Sequence, residues 1–292
     1  MDNRQNSTNI NWYPGHMAKT KRLISENIDK VDLIYEIIDS RMPYSSKVRD
    51  IDNIIKNKPR ILIMTKMDLC DKVETDKWIK YYQKKGYKVI SVDLAHNTNL
   101  KPIFNATNEI MNYINQKRIS KGMIARSARV LVMGIPNVGK STLINRLVDR
   151  KAVNVGNRPG ITKNLSWIRI NTNIELLDTP GILWPKLEEK TVAYNLASLT
   201  AIKEEILPIF SVVEYILNTL YNYYPDILKK RYDMDSVDSD IAVNLEKIGK
   251  IRGCLCKGGD IDYEKAAYVI LNDLKEGNIK GITFDRIKEY EL

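Results

Sequence analysis

Short, nearly uninterrupted apolar runs alternate with amphipathic segments through the first two thirds of the chain. Such runs are typical of strands buried in a parallel sheet, and the segments between them have helical spacing. The alternation predicts a mostly parallel α/β sheet flanked by helices. The predicted strands are residues 31–38, 60–64, 87–92, 130–133, 166–170 and 174–177. The predicted helices between them are residues 51–56, 75–85, 103–116 and 141–148.

Strand patterns stop after about residue 187, and helical spacing takes over. Helices are predicted at residues 192–203, 208–223, 241–250 and 263–276, the last with Asp262 as N-cap and Gly277 as C-terminal stop. The chain is therefore expected to contain two domains. Residues 1–186 form the α/β domain with a basic N-terminal segment, and residues 187–292 form a smaller all-α domain.

The segment from Gly134 to Ser141 (GIPNVGKS) follows a predicted strand and matches the phosphate-binding P-loop. Its glycines allow backbone N–H groups to surround phosphates, Lys140 meets the β- and γ-phosphate charges, and Ser141 offers a hydroxyl to Mg²⁺. A glycine-rich turn without a ligand is the weaker alternative, because the segment also precedes a predicted helix. Nucleotide contacts are expected from Asn137, Val138, Gly139, Lys140, Ser141 and Thr142.

Two further segments fit the metal and the γ-phosphate. Asp178-Thr179-Pro180-Gly181 follows a predicted strand, so Asp178 is placed to hold the Mg²⁺ shell and Gly181 to turn its N–H towards the γ-phosphate. The same four residues are also a good turn signal, but their position after a P-loop favours phosphate sensing. Thr162 lies between the two motifs, where a threonine on a switching loop can coordinate Mg²⁺.

The best candidate for a guanine-binding motif, Thr65-Lys66-Met67-Asp68, precedes the P-loop instead of following it. The Asp68 carboxylate can accept hydrogen bonds from guanine N1–H and the exocyclic amine, while Lys66 packs along the base or the P-loop. A helix N-cap is the alternative role for Asp68. Ser91 and Val92 begin a candidate loop on the other side of the base. This order predicts a circularly permuted GTPase, since a domain can be cut and rejoined where its ends lie close in space.

Composition narrows the class of function. A net charge of +10 favours polyanionic partners such as RNA, although lysine-rich solvated faces explain it equally well. No apolar run reaches the ~20 residues of a membrane span, and the polar residues 1–11 lack a signal-peptide core. The three cysteines, Cys70, Cys254 and Cys256, provide neither a disulfide framework nor a four-ligand zinc site. A cytoplasmic protein is predicted.

Taken together, these residues resemble the circularly permuted ribosome biogenesis GTPase A family. The similarity spans nearly the whole chain, and its most specific part is the N-terminal block WYPGHMAK. Thr65 stands where this family carries asparagine, as in some Rho-type GTPases. The matching stretches are residues 12–19 (WYPGHMAK), 39–46 (DSRMPYSS), the P-loop with Pro136-Asn137, 159–162 (PGIT), 178–181 (DTPG) and, more loosely, 257–262 (KGGDID).

The resemblance implies a partner and catalytic roles. Family members promote late assembly of the large ribosomal subunit, so a precursor of that subunit and its rRNA are expected partners of a protein that is monomeric when free. Ile182 follows the DTPG motif where Ras-like enzymes carry glutamine, and the resemblance assigns water positioning to His16, beside Lys140 as the second catalytic residue. Capping a helix is the alternative for His16. Asn137 is associated with a bound K⁺ that replaces an arginine finger. The expected ligands are GTP or GDP, Mg²⁺ and K⁺.

Basic residues in the N-terminal block and in the connector before the P-loop are expected to face RNA as a group, although each alone fits a solvated helix face. They are Lys19, Lys21, Arg22, Lys117, Arg118, Lys121, Arg126 and Arg129. Two other functions stay open. One is a metabolic or signalling NTPase without an RNA partner. The other is a small-subunit type of permuted GTPase, whose N-terminal OB barrel and zinc-binding tail fit this chain poorly.

Overall fold

The computed structural model describes residues 10–11, 15–49, 51–96, 100–148, 166–182, 186–187, 189–202 and 206–290 of the 292-residue chain. Within these ranges one six-stranded sheet has the order β4-β3-β2-β5-β7-β6, parallel throughout except that β6 runs antiparallel to β7. The predicted fold class, a mostly parallel sheet flanked by helices, is confirmed. The strands are β2 (Leu33–Asp39), β3 (Arg60–Thr65), β4 (Lys88–Ser91), β5 (Ala128–Met133), β6 (Ser166–Arg169) and β7 (Ile174–Asp178). A small antiparallel pair joins β1 (Ile10–Asn11) to β8 (Lys186–Leu187).

The central strands explain why the apolar runs are continuous. Every residue of β2 is buried, because β3 and β5 flank it and helices cover both sheet faces. Glu36 is a charged residue in the middle of this strand, and its carboxylate is paired with Lys47 and Arg60. Three of the four residues of the edge strand β6 are exposed, because only one neighbouring strand covers it.

Ten α-helices lie within the described ranges. They are α1 (Gly15–Asn27), α2 (Asp52–Ile55), α3 (Lys72–Lys84), α4 (Lys101–Ile119), α5 (Lys140–Val148), α6 (Lys190–Ser198), α7 (Ile209–Tyr223), α8 (Pro225–Tyr232), α9 (Ile241–Ile251) and α10 (Tyr263–Lys275). Both predicted ends of α10 are confirmed. At its start, the N-cap Asp262 accepts a hydrogen bond from the N–H of Lys265, and after its end Gly277 has φ +77°. None of the helices among the described residues combines the length and the apolar character that a membrane span requires.

Two of these helices were not predicted from the sequence. Helix α1 is largely polar, and its exposed Arg22 and Glu26 form an ion pair one turn apart, so its apolar periodicity is weak. Helix α8 begins immediately after α7, with Pro225 in its first turn. The sequence pattern of α1 is therefore too weakly periodic to predict a helix, and the pattern of α8 is not separated from that of α7.

Residues 282–290 pack back against the first half of the chain. The Trp78 indole N–H donates to the carbonyl of Asp285 over 2.9 Å. The fully buried Asp285 carboxylate accepts from the backbone N–H groups of Tyr44 and Ser45, both at 2.7 Å. Arg41 donates to the carbonyl of Leu274 over 3.0 Å. The segment at residues 39–46 is thus held by residues more than 200 positions later.

Candidate functional site

The carboxyl ends of the parallel strands meet at one edge of the sheet, where α/β proteins bind ligands. Asp39 at the end of β2 is in register with Thr65 at the end of β3, and Asp178 at the end of β7 is in register with Val132 of β5. The P-loop leaves β5 at the same edge. Topology therefore brings the separated motifs to one place.

The P-loop has the backbone of a phosphate-binding turn. Asn137 and Gly139 have φ angles of +62° and +94°, in the left-handed region. Lys140, the first residue of α5, is buried, and its ammonium donates to the carbonyl of Ile135 over 2.8 Å. Burial lowers the pKa of Lys140 to about 8, opposed by the negative charge of Asp178. This charge and the N-terminus of α5 form an anion-binding site.

The predicted guanine-binding motif, residues 65–68, contacts the P-loop directly. The Thr65 hydroxyl lies 2.6 Å from the carbonyl of Val138, and the Lys66 ammonium donates to the carbonyl of Asn137 over 2.7 Å. Asp68 lies two residues further on and is half-buried. The Thr65 hydroxyl therefore ties the base motif to the P-loop. The two motifs, about 70 residues apart in sequence, form one site.

The alternative role for Asp68 as a helix N-cap is wrong. Helix α3 begins at Lys72, and its N-cap is Asp71, whose carboxylate accepts from the N–H groups of Val73 and Glu74 at 2.9 and 3.1 Å. Asp68 precedes this cap by three residues, in the loop that follows β3. Asp71 therefore caps α3, and the Asp68 carboxylate has no capping role.

Two residues that were not assigned to the site from sequence hold the base motif in place. The buried Asp39 carboxylate forms a two-point ion pair with Arg41 and a second ion pair with the Lys66 ammonium at 2.9 Å. Burial alone would raise the pKa of Asp39, but Arg41 and Lys66 hold it well below its ordinary value. Burial also lowers the pKa of Lys66, against the attraction of Asp39. The strand-end rule that located Asp178 applies equally to Asp39.

The loop after β4 lies beside the P-loop. Ser91 ends the strand, and the N–H of the buried Val92 donates to the carbonyl of Met64 over 2.8 Å. Arg146 of α5 donates to the carbonyl of Leu94 over 3.1 Å. Because α5 begins in the P-loop, this contact fixes the β4 loop relative to the phosphate site. Base contacts from Ser91 and Val92 stay a prediction.

The DTPG segment packs tightly on the P-loop. Asp178 is buried, and the Thr179 hydroxyl donates to the carbonyl of Val132 over 2.8 Å. The N–H of the fully buried Ile182 donates to the carbonyl of Gly134 over 3.1 Å. At Gly181 a Cβ atom would lie 2.8 Å from Pro136, so only glycine allows this approach. Position 182, the glutamine position of Ras-like enzymes, therefore faces the interior.

Ser141 and Asp178, two of the three predicted Mg²⁺ ligands, carry oxygen atoms of the kind that Mg²⁺ prefers. The described residues contain no group of three His, Cys, Asp or Glu side chains that would hold a metal alone. Such a site fits an ion that shares its coordination with phosphate oxygens and water. Thr162, the third predicted ligand, lies outside the described residues. His16 is in the first turn of α1, and its side chain also lies outside them.

Some of the predicted RNA-facing residues have protein partners. Arg126 forms an ion pair with Asp32, and Arg129 pairs with Glu175 while lying over the Trp167 ring. Arg22 is exposed and pairs with Glu26 on α1. Lys19 and Lys121 are exposed, and Lys21 is half-buried. The Lys117 ammonium lies 4.3 Å from the centre of the Tyr113 ring, and Arg118 donates to the carbonyl of Ile124 over 3.2 Å.

Gly134→Ala should destabilise the fold and weaken nucleotide binding. A Cβ atom at position 134 would lie 2.5 Å from the carbonyl oxygen of Ile37 and 3.1 Å from the Val138 side chain. Because the nearest atom is backbone of the neighbouring strand, we expect a loss of about 1–3 kcal/mol in the free energy of unfolding. Urea denaturation and GDP titration measure the two effects.

The double variant Gly134→Ala/Val138→Ala is the control for this prediction. It relieves the side-chain contact and leaves the backbone contact, so it should stay as unstable as Gly134→Ala. Recovery of stability would assign the strain to Val138, and an unchanged unfolding free energy in the single variant would contradict the prediction altogether.

One edge of the sheet joins three features: a P-loop, a buried aspartate at a strand end, and a base motif that precedes both in the sequence. Together they define a circularly permuted P-loop GTPase. The family described as 50S ribosome-binding GTPase matches residues 129–247. Ribosome biogenesis GTPase A of Priestia megaterium is 42% identical over 97% of this chain and 98% of its own length. The Bacillus cereus protein of the same name is 41% identical over 96% and 95%. The crystal structure of GNP-bound YlqF from T. maritima matches with a TM-score of 0.63 at 25% identity, over 92% of this chain and 98% of that one. The chain belongs to the ribosome biogenesis GTPase A family.

Membership supports GTP hydrolysis in ribosome assembly, with GTP and GDP as ligands and Mg²⁺ as the usual cofactor. This family assignment agrees with the geometry of the site, in which one edge of the sheet carries the motifs predicted to bind the base, the phosphates and the metal. The roles of the individual residues stay predictions.

Proposed function

We propose that this protein hydrolyses GTP late in the assembly of the large ribosomal subunit. In its GTP state it binds the pre-subunit and its rRNA, and hydrolysis releases it. The observation that carries this proposal is the direct contact between Lys66 of the base motif and Asn137 of the P-loop at 2.7 Å. That contact supports one guanine nucleotide spanning both motifs, and the names of the relatives connect such a site to ribosome assembly.

Water attacks the γ-phosphate in this proposal. Lys140 meets the developing charge at the β- and γ-phosphates, and Gly181 donates its N–H to the γ-phosphate. Ser141, Asp178 and Thr162 would hold Mg²⁺, which would neutralise charge at the phosphates. Asn137 would hold K⁺, which would supply the positive charge that an arginine finger provides elsewhere.

His16 orients the attacking water. The burial of Ile182 supports this assignment, because the residue after DTPG points into the protein core and offers no polar group to water. We propose that His16 stays away from the nucleotide in the free enzyme and moves in when the ribosomal particle docks. Subunit stimulation of hydrolysis follows from that movement.

The surface near α4 supports an RNA partner. No acidic residue occurs from position 110 to 148. Tyr113, Ile119 and Ile124 are 60%, 59% and 83% exposed, and the Lys117 ammonium lies 4.3 Å from the centre of the Tyr113 ring. An exposed aromatic ring beside a lysine ammonium, as in the pair Tyr113 and Lys117, suits an unstacked base and a phosphate.

We further propose that residues 187–292 act as an RNA-binding helical domain. The chain runs from Gly181 through residues 183–186 directly into it, so movement of the γ-phosphate sensor moves this domain. We also propose that the protein is a monomer in the cytoplasm when it is not bound to the ribosomal particle.

GTP turnover measured with purified large subunits, small subunits or neither, in potassium and in sodium, tests this function. We expect stimulation by large subunits alone and higher turnover in potassium. Equal turnover with and without particles would instead favour a metabolic or signalling NTPase, and stimulation by small subunits would favour the other permuted class.

His16→Ala is the matched variant for this experiment. It should bind GTP with normal affinity and lose the stimulation, because the residue acts only once the particle has docked. Normal stimulated turnover in His16→Ala would remove His16 from the mechanism and leave the rest of the proposal intact.

A further inference from the structure

The side chain of Arg41 joins the end of strand β2 to the end of helix α10. It is 1% exposed, and two of its guanidinium nitrogens donate to the Asp39 carboxylate over 3.1 and 2.9 Å. The third guanidinium nitrogen donates to the carbonyl of Leu274, in the last turn of α10, over 3.0 Å. Carbonyls in the last turn of a helix have no partner within the helix and attract positive charge. One buried cation therefore holds a strand end and a helix end together.

Asp39 connects Arg41 to the base motif. Its carboxylate lies 2.9 Å from the Lys66 ammonium, which also donates to the carbonyl of Asn137 over 2.7 Å. The backbone of Lys66 is left-handed, with φ +58°, and a residue with a side chain keeps this conformation when its surroundings hold it. Asp68 follows two residues later in the same loop. A series of ion pairs and hydrogen bonds thus runs from α10 to the loop that carries Asp68.

The residues after α10 hold the other side of this loop. The N–H groups of Gly281 and Ile282 donate to the carbonyl of Leu69 over 2.8 and 3.3 Å. Gly277 lies against the same residue, since a Cβ atom at position 277 would be 2.8 Å from the Leu69 side chain. Asp68 therefore lies between two residues, 66 and 69, that α10 and its continuation hold in place.

We infer that Arg41 is a positioning residue for Asp68, through which the end of α10 sets the geometry of guanine recognition. This inference rests on the proposed guanine-binding role of Asp68. A carboxylate that accepts from both donors of guanine has to be held to within about 0.5 Å, and the residues behind it provide that precision. Helix α10 also belongs to the proposed docking region, so a partner bound there and the base act on each other through Arg41.

The ratio of the affinities for GDP and inosine diphosphate measures this positioning. Hypoxanthine keeps the N1–H of guanine and lacks the exocyclic amine, so the ratio reports the second hydrogen bond to Asp68. We expect about a 10–100-fold preference for GDP in the unmodified protein, as for a hydrogen bond to a charged group. Arg41→Lys keeps a charge beside Asp39, but an ammonium cannot replace the two-point pair and the bond to Leu274 together. It should lower the preference about fivefold.

Arg231→Lys is the matched control, because Arg231 also forms a two-point pair at the end of α10. Its partner is Asp273, the residue before Leu274, and it belongs to α8. This variant should keep the full preference for GDP, and thermal unfolding of both nucleotide-free variants reports the loss of stability separately. An equal loss of preference in the two variants would assign the effect to general loosening of α10 and overturn the inference. So would a full preference in Arg41→Lys.

Hydrogen exchange in the unmodified protein replaces Arg41→Lys if that variant does not fold. Because coupling between two sites is reciprocal, saturating GDP should slow exchange of the Gly281 amide more than saturating inosine diphosphate does. Equal protection by the two nucleotides would overturn the inference and leave the proposed function intact. An unmodified protein that binds the two nucleotides equally well would overturn the role of Asp68 and the inference with it.

Discussion

Asp68→Asn should weaken GTP binding by about 10²-fold and allow the protein to bind xanthosine triphosphate. Guanine presents two donors, N1–H and the exocyclic amine, and a carboxylate accepts both. Asparagine offers one acceptor and one donor, so its amide N–H faces the amine and both groups lose a partner. Xanthine has a carbonyl in place of that amine, which accepts from the amide. The base preference should therefore follow the change at position 68.

Displacement of fluorescent GDP by each triphosphate measures this exchange. Asp71→Asn is the matched control, because it removes the same charge three residues away in the N-cap of α3. It should leave the preference for guanine unchanged. A normal guanine preference in Asp68→Asn would mean that another part of the protein recognises the base.

Lys140→Met should reduce GTP turnover by about 10²–10³-fold, as expected for loss of a charge that stabilises the transition state. It should not destabilise the nucleotide-free fold, because methionine is accommodated in a buried site that disfavours the ammonium. Steady-state turnover and urea denaturation measure the two effects. Turnover within tenfold of the unmodified enzyme would exclude the proposed catalytic role.

The pH dependence of stability provides an independent check on the same lysine. Its pKa is about 8 in the folded protein and 10.5 ordinarily, so the unfolded chain binds more protons between these values. The unfolding free energy of the unmodified protein should therefore rise relative to that of Lys140→Met from about pH 8 to 10.5. Parallel profiles of the two proteins would contradict the burial of a titrating ammonium.

The sheet could be predicted from the sequence because its inner strands are buried on both faces. A continuous apolar run such as Ile61–Met64 has few other places in a soluble fold. The rule that parallel strands end at one edge then placed Asp178 and the base motif together. Asp39 obeyed the same rule and was missed as a site residue, because its role depends on the partners Arg41 and Lys66.

Contacts between distant residues could not be predicted in this way. The bond between Asn137 and Thr200 joins a loop to a helix end 63 residues later, and neither residue has a periodic signal for it. The same is true of Asp285, which stabilises the turn at Tyr44 and Ser45. Such pairings arise from packing of whole elements, which local patterns do not encode.

Residues 282–290 contact Trp78 and Arg41, and this contact affects when the protein becomes active during its own synthesis. A ribosome that has translated only the phosphate and base motifs exposes a site whose support is incomplete, since the segment that packs on Arg41 and Trp78 is not yet synthesised. Enzymatic competence is therefore expected to arrive abruptly, with the emergence of the last of these residues from the exit tunnel. A polypeptide stalled before that moment should contain every nucleotide-binding motif and still be inactive.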